Sequence, residues 1–147
     1  MSDIRKQTVK GLQEGQEFIL ERTFTTEDVK AFAAISRDDN PIHHHSGFIA
    51  SKGMRAPICH GLLVASMLTE IGGQIGWLAS EMNMKFIKPV YIGDSVRCIF
   101  KLQKIDKKNR ATADITFLNQ NDDTVLKAIL KGILPNQSER KILAQLL

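Results

Sequence analysis

Two short segments of the chain concentrate the residue types that can move protons. The first runs from Asp38 to His43 and places a carboxylate and an imidazole on either side of an Asn-Pro turn. The second begins at Pro57 and ends in His60 and Gly61, just before an apolar stretch. All four histidines of the chain lie in these segments or in the loop between them. A carboxylate and an imidazole can together hold and deprotonate one water molecule, so this region is the first candidate for chemistry.

The apolar stretch predicts a helix that begins at Gly61. The first backbone N–H groups of a helix have no partner within the helix. They can therefore stabilise a negative charge that develops on a substrate oxygen. The two segments together offer an acid–base pair and an oxyanion donor.

These residues also have interpretations without chemistry. Asp38 and Asn40 are typical of turns next to a proline. The consecutive residues His43, His44 and His45 suggest a metal site, but side chains in an extended loop point to alternate sides. The three imidazoles are therefore not expected to converge on one ion, and we predict no metal site. The second and third of these histidines are expected on the surface.

The composition is that of an ordinary soluble globular protein. The chain has 147 residues, of which 43% are hydrophobic and 24% are charged, which fits one domain with its own core. Cys59 and Cys98 are far apart in sequence and predict free thiols in a reducing, cytoplasmic compartment. Cys59, beside an apolar helix, is not expected to act as a nucleophile. We expect no secretory signal and no membrane span, because no apolar stretch has the required position or length.

The charge of the chain does not indicate a nucleic-acid partner. The net charge is +4, but the basic residues are scattered and aromatic residues make up 6% of the chain. No basic run is interleaved with stacking rings, as nucleic-acid binding would require. The basic run 104–110 is typical of a solvated hairpin tip. A small ligand that carries phosphates is compatible with this charge.

The first part of the chain predicts one strand and one helix ahead of the acidic turn. Residues 16–23 are typical of a short edge strand. Thr25, with Asp28 three residues later, forms a capping-box pattern, and apolar residues from Val29 onward recur on one helical face. This helix should end before Asn40, because the residue that precedes a proline avoids helical geometry.

A second helix is predicted from Gly61 to about Ser80, and it is apolar on nearly every side. Such a helix must be buried by whatever surrounds it. At this chain length the available element is a curved sheet. Glycines near the end of the helix are expected to weaken its last turn.

Three stretches in the second half of the chain alternate apolar and polar residues, as half-buried strands do. They lie at about 95–103, 111–117 and 126–134, and short links rich in turn residues join them. We therefore predict an α+β fold in which an antiparallel sheet wraps a central helix. Residues 1–147 are predicted to be one domain with a core of about 16–134 and a short helix at its C-terminus.

The order of these motifs resembles that of the MaoC-like (R)-specific enoyl-CoA hydratases. Three motifs carry the resemblance: Asp-x-Asn-Pro-Ile-His at 38–43, Pro-Ile-x-His-Gly-Leu-Leu at 57–63, and the stretch 84–96 with its Pro-Val and Gly-Asp pairs. Members of that family are single hot-dog domains, in which a sheet wraps a central helix, and they commonly form dimers. The resemblance therefore implies a hot-dog fold and a homodimer or higher homo-oligomer.

The resemblance also implies roles for individual residues. The catalytic pair of the family falls on Asp38 and His43, and its oxyanion donor, a backbone N–H, falls on Gly61. Asn40 and His60 join Gly61 as candidate substrate-binding residues. No metal and no other cofactor is implied. Members often carry an acid two positions after the catalytic histidine, where this chain has a further histidine.

The leading functional hypothesis is an (R)-specific enoyl-CoA hydratase, which in reverse is a 3-hydroxyacyl-thioester dehydratase. One alternative is the same reaction on an acyl-carrier-protein thioester, as in the 3-hydroxyacyl-ACP dehydratases of fatty acid synthesis. Others are a non-catalytic acyl-CoA-binding hot-dog domain and a thioesterase, since a fold does not determine a function. Lys52, Arg55 and Lys88 are the candidates for binding the phosphates of coenzyme A.

Overall fold

The computed structural model describes residues 3–147, which form one five-stranded antiparallel sheet and six helices. The strands are β1 Glu17–Thr23, β2 Leu78–Phe86, β3 Ser95–Ile105, β4 Arg110–Leu118 and β5 Thr124–Ile133. The helices are α1 Asp3–Lys10, α2 Thr26–Ser36, α3 Ser46–Ser51, α4 Gly61–Ala65, α5 Met67–Ile75 and α6 Gln137–Ala144. The strand order is β1-β3-β4-β5-β2, which makes β1 and β2 the two edges.

The alternation of the three C-terminal strands is confirmed, and it produces the core. On β3, Cys98, Phe100 and Leu102 are fully buried, while the residues between them reach the outer face. Phe100 lies opposite the buried Ile115 of β4, so the apolar side chains of the two strands share one face. The buried residues of α4 and α5 belong to the same hydrophobic cluster. This arrangement confirms the predicted α+β architecture of a sheet around a central helical segment.

The central helix is shorter than predicted. The structure separates α4 from α5 at Ser66 and ends α5 at Ile75, so the prediction of one helix to about Ser80 is wrong. Gly76 adopts a left-handed φ of 76° and donates its N–H to the Gly72 carbonyl, which caps the helix. The chain then turns back as β2, an edge strand with almost every side chain exposed. Met82, Met84 and Phe86 of β2 alternate with Asn83 and Lys85, but this run is short and no strand was predicted here.

The structure also contains an N-terminal helix, α1, that the sequence did not predict. Its Ile4 joins the hydrophobic cluster, so the core begins before residue 16. The Arg5 guanidinium donates to the carbonyls of Gly73, at 2.9 Å, and Gln74, at 3.3 Å, and so binds the last turn of α5. The predicted C-terminal helix is confirmed as α6, which packs against α1.

The helix ahead of the acidic turn is confirmed as α2. The Asp28 N–H donates to the Thr25 hydroxyl at 3.2 Å, and the Asp28 carboxylate accepts the Thr25 N–H at 2.9 Å, which is the predicted capping box. Beyond α2, Arg37 has a left-handed φ of 59° and turns the chain toward a 3₁₀ turn at Pro41–His43. Among residues 3–147, no helix has the length and apolarity to cross a membrane.

Candidate active site

The acidic turn holds the Asp38 carboxylate in a defined orientation. The Asp38 N–H donates to the Ser36 hydroxyl at 3.2 Å, and Asp38 Oδ1 accepts the Asn40 N–H at 3.1 Å. Asn40 in turn caps the 3₁₀ turn, because its side-chain oxygen accepts the Ile42 N–H at 3.1 Å. One carboxylate oxygen of Asp38 is thus engaged by the backbone, while Oδ2 lies 3.8 Å from Nε2 of His43.

The tautomer of neutral His43 follows from its contact with the backbone. Its Nδ1 lies 2.7 Å from the Ile58 carbonyl oxygen, which can only accept, so Nδ1 carries the proton. Nε2 of the neutral ring is then an acceptor, like the facing Asp38 carboxylate. At 3.8 Å the two acceptors are too far apart for a direct hydrogen bond. A water molecule, with two hydrogens to donate, matches this pair of acceptors.

The surroundings of His43 favour its neutral form. Burial lowers the pKa of His43 below its ordinary value of 6.5, and the positive charges that His60 and His44 can carry lower this pKa further. The hydrogen bond to Ile58 and the Asp38 carboxylate act in the opposite direction, without reversing the effect on the pKa. At neutral pH the imidazole is therefore unprotonated and able to accept a proton.

His60 connects the two halves of the site. Its side chain is buried, with the residue only 2% exposed, and its Nε2 lies 3.2 Å from the Asp38 carbonyl oxygen. Its ring stacks on the His43 ring with centroids 3.7 Å apart, and Phe32 packs at 5.0 Å from it. Within residues 3–147, the Nδ1 atom of His60 has no hydrogen-bond partner.

A mostly apolar cavity of about 800 Å³ opens beside Asp38 and His60. Asp38, His60 and Gly61 lie in its wall, so the structure brings these three predicted site residues together. Asn40 is not part of the wall, and its amide oxygen is engaged in the cap described above. The remaining wall is largely hydrophobic and includes Phe32, Met54, Leu62, Val64, Phe86, Ile87, Val90 and Leu126.

Gly61 is the first residue of α4 and lies directly beside an aromatic ring in the cavity wall. A Cβ atom at this position would lie 2.6 Å from Cε1 of Phe86, which is closer than real contacts allow. Phe86 belongs to β2, the strand that the sequence did not predict, so its place beside Gly61 was missed. The register of β2 on β5 places this ring, and no sequence pattern indicated that register.

The three basic residues predicted to bind phosphates lie in different environments. Lys88 lines the cavity and pairs with Asp123, with Nζ 3.4 Å from the carboxylate. Arg55 stacks on the Tyr91 ring at 3.9 Å, and Lys52 lies over an aromatic ring of α3. The structure therefore brings Lys88 to the cavity wall, but not Lys52 or Arg55.

Cysteine chemistry and metal binding fit the site poorly. Burial raises the pKa of both free thiols, Cys59 and Cys98, to about 12, so almost no thiolate is present at neutral pH. Ligand atoms of Asp38, His43 and His60 lie within 4.8 Å of one another. However, the two rings are stacked with an angle of 27° between their planes. A zinc ion must lie about 2.0–2.1 Å from each nitrogen, and it approaches in the plane of each ring, which stacked rings do not allow.

The other two histidines have separate contacts. His44 pairs with Asp39, with Nε2 2.9 Å from the carboxylate, and both side chains are exposed. His45 caps α3, because its Nδ1 accepts the Phe48 N–H at 3.1 Å. Both contacts lie outside the pair formed by residues 38 and 43.

Comparison with known proteins agrees with this geometry. The model of the MaoC-like domain family matches residues 7–123. An (R)-specific enoyl-CoA hydratase of Aeromonas caviae is 36% identical over 93 residues, which are 60% of this chain and 69% of that protein. A mitochondrial 3-hydroxyacyl-[acyl-carrier-protein] dehydratase of Arabidopsis thaliana is 31% identical over 121 residues, which are 78% of this chain and 73% of that protein.

A solved structure extends the agreement to the fold. The (R)-hydratase from A. caviae involved in PHA biosynthesis superimposes with a TM-score of 0.80 at 30% identity, covering 86% of this chain and 99% of that one. This likeness confirms the hot-dog fold expected from the sequence. With the family model matching most of its length, the chain belongs to the MaoC-like domain family.

Proposed function

We propose that this protein is a hydro-lyase that adds water across the trans-2 double bond of an enoyl thioester, and in reverse dehydrates the (R)-3-hydroxyacyl thioester. The observation that carries the proposal is a pair of acceptors 3.8 Å apart, His43 Nε2 and Oδ2 of Asp38, and Asp38 lies in the wall of an apolar cavity. Membership of the family and the names of the A. caviae and A. thaliana relatives support it.

The acceptor pair suits the proton transfers of hydration. A water molecule held between Asp38 and His43 gives one proton to the pair as its oxygen bonds to C3. The pair returns one proton to C2, so the substrate gains the elements of water and the pair ends unchanged. Because the two groups interact, they titrate as a unit, and the proton belongs to the pair.

The intermediate of this addition carries negative charge on the thioester oxygen. The backbone N–H of Gly61, the first residue of α4, is the proposed donor to that oxygen. Glycine also leaves room beside the Phe86 ring, where a Cβ atom would collide. His60 lies in the wall next to this donor. Water addition involves no net redox change, so the proposed reaction requires no redox cofactor, and the Asp38–His43 pair and the Gly61 N–H are proposed to supply the proton transfers and the oxyanion donor.

The acyl group of the substrate is attached either to coenzyme A or to an acyl carrier protein. Coenzyme A is the leading candidate, and Lys88 at the cavity wall is the best placed of the predicted phosphate-binding residues. An acidic acyl carrier protein is the alternative, favoured by the net charge of +4 and by the carrier-protein substrate that the A. thaliana relative's name includes. A cytoplasmic location stays a prediction and is consistent with two free thiols.

We also propose that the protein is a homodimer joined through β2. Met82 and Phe86 lie opposite Leu130 and Leu126, which are buried, so all four side chains share the core face of the sheet. Yet Met82 is 46% exposed and Phe86 57% exposed. An apolar edge strand of this kind invites pairing with another strand. A second copy of β2 across a two-fold axis supplies a complementary partner.

The experiment that tests the function is a hydration assay on purified protein. Crotonyl-CoA and longer trans-2-enoyl-CoA substrates should lose their enoyl-thioester absorbance, and the product should be the (R)-3-hydroxyacyl form. The same acyl groups on an acyl carrier protein decide between the two carriers. Tight acyl-CoA binding without turnover would favour the non-catalytic alternative, and release of free thiol would favour a thioesterase.

A further inference from the structure

The burial of His60 reduces the stability of the fold, and its place in the cavity wall does not explain why a histidine is buried here. The residue is 2% exposed, and its Nδ1 has no hydrogen-bond partner within residues 3–147. A buried polar atom without a partner destabilises a fold, because it has lost its hydrogen bonds to water. Its neighbour on α2 is the apolar ring of Phe32. A phenylalanine would fill this position without that cost, so stability alone does not favour a histidine.

The first contact of His60 fixes the main chain at Asp38. The carbonyl oxygen of Asp38 can only accept, so His60 Nε2 carries the proton and donates across 3.2 Å. Its partner lies 22 residues earlier in the chain. This bond joins the turn that bears the carboxylate to the residue that precedes α4.

The second contact fixes the plane of the other acid–base group. The His60 and His43 rings stack with centroids 3.7 Å apart and an interplanar angle of 27°. Since His43 Nδ1 is also held by Ile58, at 2.7 Å, the ring of His43 can neither tilt nor rotate freely. The direction of its Nε2 lone pair, toward Asp38, is therefore set by both contacts.

The third link runs to the helix that begins at Gly61. The His60 carbonyl accepts the N–H groups of Leu63, at 3.0 Å, and Val64, at 3.2 Å, in the first turn of α4. His60 thus contacts the carboxylate turn through its nitrogen, the imidazole through its ring face, and the helix start through its main chain.

We propose that His60 is a positioning residue, which sets the separation between the Asp38 carboxylate and His43 Nε2 and ties both to the helix start at Gly61. This inference rests on the proposed hydration reaction for its kinetic consequences. Its geometric consequences can be measured without substrate. The groups that act on His43 are the Asp38 carboxylate, the His44 and His60 rings and the Ile58 carbonyl.

The test uses His60→Phe and His60→Gln in the full chain. His60→Phe keeps a stacking ring but loses the bond to the Asp38 carbonyl, whereas His60→Gln keeps an N–H donor but loses the stack. Each variant should lower kcat by about 10–100-fold, the scale of a misplacement near 1 Å, with KM within a few-fold. His60→Phe should melt close to the wild-type temperature, because removal of the unpartnered nitrogen offsets the loss of the hydrogen bond to the Asp38 carbonyl. His44→Phe is the matched control and should leave kcat within a few-fold.

A titration of the His43 ring by NMR supplies a readout that does not depend on turnover. The potential positive charge of His60 lowers the pKa of His43, so His60→Phe should raise that pKa. Wild-type kcat in both variants, or a folded His60→Phe with an unchanged His43 titration, would overturn the proposal. If His60→Phe does not fold, kcat of His60→Gln and its own titration decide. A wild-type protein without hydratase activity refutes the proposed function, while the titration still tests the role of His60.

Discussion

At the scale of single residues, the proposed mechanism places one water between Asp38 and His43, so each residue should be necessary. Asp38→Asn and His43→Ala should each lower kcat by ~10²–10⁴-fold, the range for positioned acid–base groups. Asp38→Asn should leave the melting temperature nearly unchanged, because asparagine suits the same turn and can still accept the Asn40 N–H at Oδ1. Steady-state hydration kinetics and thermal denaturation measure the two effects.

The double variant and a neighbouring histidine provide the controls for this prediction. Groups that act as a unit have non-additive effects, so the double variant should be little slower than either single one. His44→Ala should stay within a few-fold of the wild type, since its side chain pairs with the exposed Asp39 instead. A folded Asp38→Asn with full activity would remove Asp38 from the mechanism. An unfolded one would mean that Asp38 serves the turn.

The environment of His43 also sets the pH dependence of hydration. His43 must be neutral to accept a proton, and burial of the ring lowers its pKa below the ordinary value of 6.5. As pH falls, kcat/KM should therefore reach half of its plateau value only below pH 6.5. Below the pKa the decline should approach about tenfold per pH unit for a single protonation. A half-plateau value above pH 6.5 would contradict the lowered pKa of His43.

At the scale of elements, the start of α4 depends on the absence of a side chain at Gly61. The Cβ atom of Gly61→Ala would meet the Phe86 ring at 2.6 Å. Because Phe86 is 57% exposed, its ring can shift, so the variant should fold but hold the substrate carbonyl poorly. We expect kcat/KM to fall by at least about tenfold, the scale of lost positioning. Hydration kinetics of the folded variant measure it.

Gly73→Ala in α5 is the matched control for Gly61→Ala. A Cβ atom at Gly73 would have no neighbour within 4 Å. Alanine in a helix is favoured over glycine by roughly 0.5–1 kcal/mol. Gly73→Ala should therefore retain activity and gain stability in denaturant unfolding. Equal losses of kcat/KM in both variants would mean that the effect of Gly61→Ala does not arise from the lack of a side chain at the start of α4.

The elements that were predicted well from the sequence are strands that bury one face and a helix that begins with a capping box. The sequences of β3, β4 and β5 alternate because one face of each strand packs on the core. The start of α2 was predicted from the capping box of Thr25. β2 was missed because its alternation, Met82, Met84 and Phe86 with polar residues between them, is shorter than that of β3, β4 and β5, and because the residues before it were predicted to be helical. α1 was missed because its mean hydropathy is low, and only Ile4 and Thr8 are buried in it.

The predicted and the unpredicted parts of the site differ in how far apart along the chain the contacting residues lie. Asp38, His43 and Gly61 could be predicted as candidates because each lies in a short motif whose residue types and spacing are local along the chain. The stack of His60 on His43 and the place of Phe86 beside Gly61 arise from contacts between distant segments. Asn40 was predicted to bind substrate, which stays a prediction, and the structure shows that its side-chain oxygen accepts the Ile42 N–H within the turn. Short motifs indicate which groups react, and tertiary packing determines how they are held.

At the scale of the whole molecule, the exposed apolar edge of β2 predicts the assembly. Met82→Lys places a charge on the core face of the edge strand, where a second copy of β2 would bury it without a partner. This variant should elute as a monomer at concentrations at which the wild type is a dimer, as measured by light scattering coupled to size-exclusion chromatography. Its fold should persist, because Met82 is 46% exposed in the single chain.

Asn83→Lys tests whether the face of the strand matters more than the added charge. Asn83 is the next residue on β2 and lies opposite Ile129, which is 51% exposed, so its side chain points to the outer face. A lysine there can reach solvent in a dimer as well as in a monomer, and charged side chains at the outer face are common on this sheet. Asn83→Lys should therefore remain dimeric. Dissociation of both variants would mean that the strand tolerates no added charge, and a dimeric Met82→Lys would place the interface elsewhere on the molecule.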